Sequence, residues 1–309
     1  MFTRFLVVLG QVSTLFLMMA VGFVLGKWKK ITAAGTGEMS SLLLYVVAPC
    51  IIIDSFQTDY DPALLRTLGL GAVVELVFFF LYAMIVKLFF RKEDEDTRIS
   101  FRFGAMYGNT GFMGLPLIQA IMGDEALIFA VVSLMVFNVV VWSHGYMMMN
   151  GSSHGFSLKK ALLTPGLLAV VVGLPLFLTQ TTLPGVLHTA VRYIGSMNTP
   201  LAMVVIGAQM ARADIGALLR DKKLFEASAL KLVLIPVFTA IVLLPLRHDP
   251  LLYTATVILA AAPTAGITSM FAERFGRAPE RTAGLVSLST LLSIFTLPII
   301  AVAAEAIAG

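Results

Sequence analysis

Glu75 and Lys231 are the charges placed most deeply inside long apolar segments of this chain. A charge in hydrocarbon is costly and is functional by default. Glu75 could take up and release a coupling proton. Lys231 could attract an anion, or carry its head to the cytoplasmic surface along its own stem. At 1.5 Å of rise per residue the two differ in depth by about 8 Å, so a direct pair would need one to snorkel. A second group is neutral. Asn109 and Thr110 sit within one apolar segment, Asn138 in the next, and Thr264, Thr268 and Ser269 in a later one. Ser289, Ser293 and Thr296 follow at spacings that put them on one helical face. Amides and hydroxyls of this kind bind a carboxylate when backbone N–H groups lie beside them. Each also has a structural role open to it. Asn109 makes a good helix N-cap, Asn138 could staple two helices, and the hydroxyls could bond back to their own helices. His144 lies near a segment end, where a histidine can handle protons or simply pack.

Other chemistry is absent from the pattern. No His, Asp or Glu cluster has metal-ligand spacing, and Cys50 is the only cysteine. No nucleophile is paired with a base, and no phosphate or dinucleotide loop is present. Neither catalytic residues, a cofactor nor a metal is therefore expected. The net charge of +4 is spread over short loops, so nucleic acid is not an expected partner.

The elements that must hold these residues are membrane helices. Hydrophobic residues make up 58% of the chain and charged ones 13%, with a mean hydropathy of +0.91. A soluble domain carries about 25% charged residues. Apolar segments run near 5–26, 39–56, 64–90, 103–122, 126–149, 161–178, 183–210, 224–246, 251–272 and 283–308. Each is long enough to cross a bilayer. Of the 22 Lys and Arg, sixteen fall in the loops after the odd-numbered segments and four on the other side. Positive loops stay in the cytoplasm. The expectation is a multi-pass protein of the cell (inner) membrane with both termini outside, surrounded by lipid. The positive cluster follows the first segment, so that segment is not a cleavable signal. Arg91 to Arg102 reads as a solvated cytoplasmic loop.

Ten segments divide into five and five, residues 1–150 and 151–309. An odd number per half makes the second half run opposite to the first, the inverted-repeat arrangement of many secondary transporters. Pro49 and Pro200, in the second and seventh segments, are separated by nearly half the chain, as are Pro116 and Pro263 in the fourth and ninth. The fourth segment holds Gly104, Gly108, Asn109, Thr110, Gly111, Gly114 and Pro116; the ninth holds Ala261-Ala262-Pro263-Thr264-Ala265-Gly266. Glycine and proline weaken a helix centre. Interrupted helices at equivalent places in two halves point to a transporter's binding site. The bland alternative is a pair of small-residue packing faces.

Gly108-Asn109-Thr110-Gly111-Phe112-Met113-Gly114-Leu115-Pro116-Leu117 resembles the signature of the auxin efflux carrier family. Ala262-Pro263-Thr264-Ala265, Ala272-Glu273-Arg274-Phe275-Gly276, Leu288-Ser289-Thr290-Leu291-Leu292-Ser293 and Thr296-Leu297-Pro298 resemble its C-terminal pattern, and the likeness runs in order along the whole chain. The family includes plant PIN-type exporters and bacterial carriers of small carboxylates, and its fold is similar to that of the bile acid sodium symporters. The resemblance implies an all-α membrane protein of ten helices, with discontinuous helices four and nine crossing at their breaks. It implies a scaffold domain of helices 1, 2, 6 and 7 and a transport domain of helices 3–5 and 8–10 that moves as an elevator. It also implies a small carboxylate substrate, lined by Asn109, Thr110, Gly111, Pro116, Asn138, Pro263, Thr264, Thr268, Ser269 and Ser293. Transport would be uniport or proton-coupled, with Glu75 the coupling candidate. A homodimer is left open. The alternative is a sodium-coupled symporter of the bile acid type. That would need carboxylates and carbonyls converging on a cation, and helices four and nine carry no acid within their apolar cores. A sensor would need an output domain, and an intramembrane protease would need paired Asp or Ser with His at one depth. Neither pattern is present.

Overall fold

The computed structural model describes residues 2–57, 59, 62–151, 165–212 and 214–309. Helices run as α1 Phe2–Lys27, α2 Ala33–Ser55, α3 Pro62–Val86, α4 Glu95–Met106, α5 Thr110–Met122, α6 Leu127–Asn150, α7 Pro165–Leu178, α8 Gly185–Ser196, α9 Asn198–Met210, α10 Lys222–Val242, α11 Pro250–Ala261, α12 Ile267–Phe275 and α13 Pro279–Ala308. Among the described residues there is no β-strand, only an isolated antiparallel bridge. By length and composition α2, residues Leu65–Val86 of α3, α6, α10 and α13 can each cross a membrane, while α5, α7, α11 and the Ser13–Lys27 part of α1 are shorter apolar helices. His154, Lys159, Lys160 and the first residues of the sixth apolar segment, 161–164, lie outside the described residues.

Three helices contain a π-helical turn just before a proline: Leu43–Val47 before Pro49, Thr110–Gly114 before Pro116, and Leu230–Leu234 before Pro236. Proline removes a donor, and its ring clashes with the preceding turn. Widening that turn absorbs both effects without breaking the rod. Pro116 thus shapes the inside of α5 and is not itself the break.

α1 packs along α9 at unusually short range. A Cβ on Gly22 would overlap the carbonyl of Val204, and one on Gly207 would overlap the carbonyl of Met19. Small residues let membrane helices approach this closely when lipid supplies no hydrophobic drive between them. α2 packs on α7 and α8, and its end is tied to α8 by His188 Nε2 and Asp54 Oδ1 at 3.0 Å. α10 and α11 pack together, α11 against α13, and α3 against α6.

The stretch expected as a solvated loop is partly helix. Asp94 caps α4 by accepting from the Thr97 N–H at 3.0 Å, which also holds its carboxyl below the ordinary carboxylate range. Glu95 and Asp96 follow in the first turn, where acids suit the helix dipole. Hydropathy missed these two turns because they are polar. Their charges are paired across the chain: Arg277 with Asp96 and Glu95, and Arg281 with Glu93 and Asp221. The starts of α4, α10 and α13 are joined on this one side.

Candidate functional site

Two interruptions meet. α4 ends at Met106 and the chain runs extended through Tyr107 before Asn109 starts α5. α11 ends at Ala261, and helix resumes only at Ile267. Gly108 and Thr264 form the antiparallel bridge. The Asn109 N–H donates to the Pro263 carbonyl at 2.7 Å, and the Ala265 N–H to the Tyr107 carbonyl at 3.0 Å. Both breaks are locally encoded, since Gly108 has no side chain to pack and Pro263 cannot continue a helical ladder.

Four helix ends therefore gather in one place, and they carry opposite polarity. The N-terminal ends belong to α5 and α12. Asn109 Oδ1 accepts from the Phe112 N–H at 3.1 Å, an N-cap. That leaves the Asn109 amide nitrogen, and the N–H groups of Gly111, Gly266 and Ile267, without a partner among the described residues. Asn109, Gly111 and Ser269 are half-buried and Gly266 is exposed, so these donors can be reached. A carboxylate could accept from such groups without any arginine.

The C-terminal ends belong to α4 and α11, and a lysine serves that of α11. Lys231 is 1% exposed, so it does not snorkel to the cytoplasm. Its ammonium donates to the Ala260 carbonyl at 2.9 Å, in the last turn of α11. It makes no ion pair with Glu75 among the described residues, although the two are near enough to act on each other electrostatically; Glu75 accepts from the Ser133 hydroxyl. Glu75, Gly71, Phe129, Ser133, Thr256 and Leu259 line a cavity of about 10 Å³ for the centre of a water molecule. That is room for about one water. It lies among α3, α6 and α11, beside the breaks rather than in them.

Several expected residues face inward to the protein's own bonding. Thr264 is buried; its hydroxyl donates to the Gly104 carbonyl at 3.0 Å, and its N–H donates to the Ser289 hydroxyl at 3.2 Å. Ser293 donates to the Thr290 carbonyl of its own helix at 2.6 Å. Asn138 donates to the Leu134 carbonyl at 2.9 Å and is half-buried near Gly166 of α7. Thr110 and Pro116 are buried within α5. Thr268 is fully buried, and its hydroxyl has no partner among the described residues. The structure thus brings Asn109, Thr110, Gly111, Pro263, Thr264 and Lys231 together, while Glu75, Asn138 and Ser293 make their bonds to Ser133, Leu134 and Thr290. Sequence reasoning missed Tyr107, whose hydroxyl lies 2.9 Å from His144 Nδ1 and whose carbonyl takes the Ala265 bond. Its place two residues before Asn109 was the available signal.

The sequence matches the model of a family described as membrane transport protein over residues 7–301. A protein of Methanothermobacter thermautotrophicus named "Uncharacterized transporter" is 22% identical, covering 93% of this chain and 95% of its own length. One of Rhizobium meliloti named "Putative malonate transporter" is 23% identical, covering 93% of this chain and 92% of its own.

Proposed function

Because the chain belongs to the membrane transport protein family, the one its likeness to the auxin efflux carriers pointed to, we propose that it carries small carboxylates across the cell membrane. The substrate class is that of malonate, for which the Rhizobium meliloti relative is named. The observation that carries this reading is the gathering of partnerless donors at the breaks: the Asn109 amide and the N–H groups of Gly111, Gly266 and Ile267. Helix N-termini attract anions. A site of dipoles and amides binds a carboxylate yet releases it, as a carrier must.

The proposed architecture has ten spans in two inverted sets of five, with both termini outside. α1, α2, α7 and α8–α9 make the scaffold; the remaining spans carry the substrate past it as an elevator. Few polar ties between the two sets are seen among the described residues. Thr199 Oγ1 donates to Gln119 Oε1 at 3.2 Å and links α9 to α5, and α1 packs against α5 and α13. A sliding boundary needs few directional bonds. Glu75 is the proposed proton-coupling group, and the water-sized cavity beside it supports that role.

Thermal unfolding of the purified protein with mono- and dicarboxylates tests the reading. A bound ligand at a hundred times its dissociation constant adds about 2.7 kcal/mol of stability. A clear rise in melting temperature with malonate or a near analogue is expected, and none with amines or sugars. If no carboxylate stabilises the protein, the substrate class is wrong.

A further inference from the structure

The geometry points to Lys231 as the resident cation of the helix junction, so that anion binding there needs no free sodium ion. The inference rests on the carboxylate reading and deepens it.

Carbonyls at a helix C-terminus lack intrahelical donors and carry the negative end of the dipole. Where two such ends meet inside a membrane, their carbonyls need donors; the Thr264 hydroxyl serves Gly104 at the end of α4, and a cation can serve the end of α11. A dissociable metal ion is one solution, and it couples transport to that ion. This chain has another. The Lys231 ammonium donates to the Ala260 carbonyl at 2.9 Å. It also fills the space beside Gly108: a Cβ there would stand 2.9 Å from the ammonium nitrogen, 3.3 Å from the preceding carbon and 3.3 Å from the Ala262 carbonyl oxygen. The ammonium is thus wedged between the end of α11 and Gly108, the second residue after α4. Glycine at 108 is what leaves it room. The lysine starts from the π-helical turn of α10, which displaces it relative to a regular helix. Glu75 acts on it only at longer range, with no ion pair among the described residues, and accepts from Ser133. A tethered charge occupies the cation position whatever ion surrounds the cell. It also lends positive potential to the neighbouring N-terminal donors, where an anion would bind.

The test uses the full-length protein in proteoliposomes, following exchange of labelled malonate with sodium or with N-methylglucamine as the only monovalent cation. The parent should exchange equally in both. Lys231→Ala should lose exchange by about ten- to a hundred-fold, the scale of a lost hydrogen bond to a charged group. Methylammonium, small enough to enter the vacated space, should restore part of it; N-methylglucamine should not. Gly108→Ala is the second variant, since its methyl group would push the ammonium off its carbonyl, and it should lose exchange in the same direction. Melting temperature provides a readout that does not need the substrate: methylammonium should stabilise Lys231→Ala and leave the parent unchanged. A parent that needs sodium overturns the inference, as does Lys231→Ala exchanging like the parent or gaining no stability from methylammonium. If the parent exchanges no carboxylate at all, the transport reading fails, and the melting comparison still decides the role of Lys231.

Discussion

The backbone N–H of Asn109 lies 2.7 Å from the carbonyl oxygen of Pro263, although the two residues belong to opposite halves of the chain. With the bond from Ala265 to Tyr107, it sets the beginnings of α5 and α12 beside the ends of α4 and α11. Asn109 holds three positions at once. Its main chain ties the breaks, its side-chain oxygen caps α5, and its side-chain nitrogen is left over.

That division makes Asn109 separable by substitution. Asn109→Ser keeps an acceptor for the Phe112 N–H, but its hydroxyl stops short of where the amide donor reaches. It should weaken carboxylate binding by about 1.5–3 kcal/mol, one charge-assisted hydrogen bond, with little loss of stability. Asn109→Ala should lose the same binding and about 1 kcal/mol of stability from the cap. Asn109→Asp keeps the cap and should repel the anion outright. Calorimetric titration with malonate beside thermal unfolding distinguishes the three. Binding equal to the parent in Asn109→Ser would move the site away from the breaks.

The close packing of α1 on α9 predicts a stability effect remote from the site. Gly207→Ala places a methyl group into the Met19 carbonyl, and backbone cannot yield as a side chain can. Overpacking of this kind costs about 1–3 kcal/mol. Gly69→Ala, where nothing lies within 4 Å of the new methyl, is the control. Gly207→Ala should melt lower than Gly69→Ala in the same detergent. Equal melting would mean that α1 and α9 separate more easily than their geometry implies.

Orientation is open to direct labelling. In a background with Cys50 replaced, a cysteine at Lys92, exposed between α3 and α4, should react only with reagents that reach the cytoplasm. One at Asp124, exposed in the turn after α5, should react from outside. The positive-inside bias requires this order. The reverse labelling pattern would invert the proposed topology.

How much of this was legible in the sequence depends on the kind of signal. The breaks were legible because glycine, proline and a capping asparagine are local causes with local effects, and Asn109 sits where its chemistry placed it. The start of α4 was not, because Glu95 to Arg102 is polar and hydropathy sees only apolar helix. Lys231 was misplaced for a different reason. Depth along a helix says how far a side chain lies from the surface, but not which neighbour it faces, and the π-helical turn beneath Lys231 changes that facing. Thr264 and Ser293 looked available by type. Their hydroxyls are engaged by Gly104 and Thr290, which only the packing of one helix on another reveals.

Glu75 offers the sharpest test of coupling. Its carboxylate accepts from Ser133 and borders the water-sized cavity with Thr256, so a proton held there has polar neighbours from α6 and α11. Glutamine has nearly the same shape and can still accept from Ser133, but it cannot take up or release a proton in this range. Glu75→Gln should therefore fold normally and continue to exchange labelled malonate across a membrane without a pH gradient. Uptake driven by an imposed pH gradient should fall to the level of that exchange. Ser133→Ala, which keeps the carboxyl and removes its hydroxyl partner, should retain gradient-driven uptake with an altered pH profile. If Glu75→Gln still accumulates malonate against its gradient when the pH difference is applied, Glu75 is a packing residue and the proton, if one is carried, travels elsewhere.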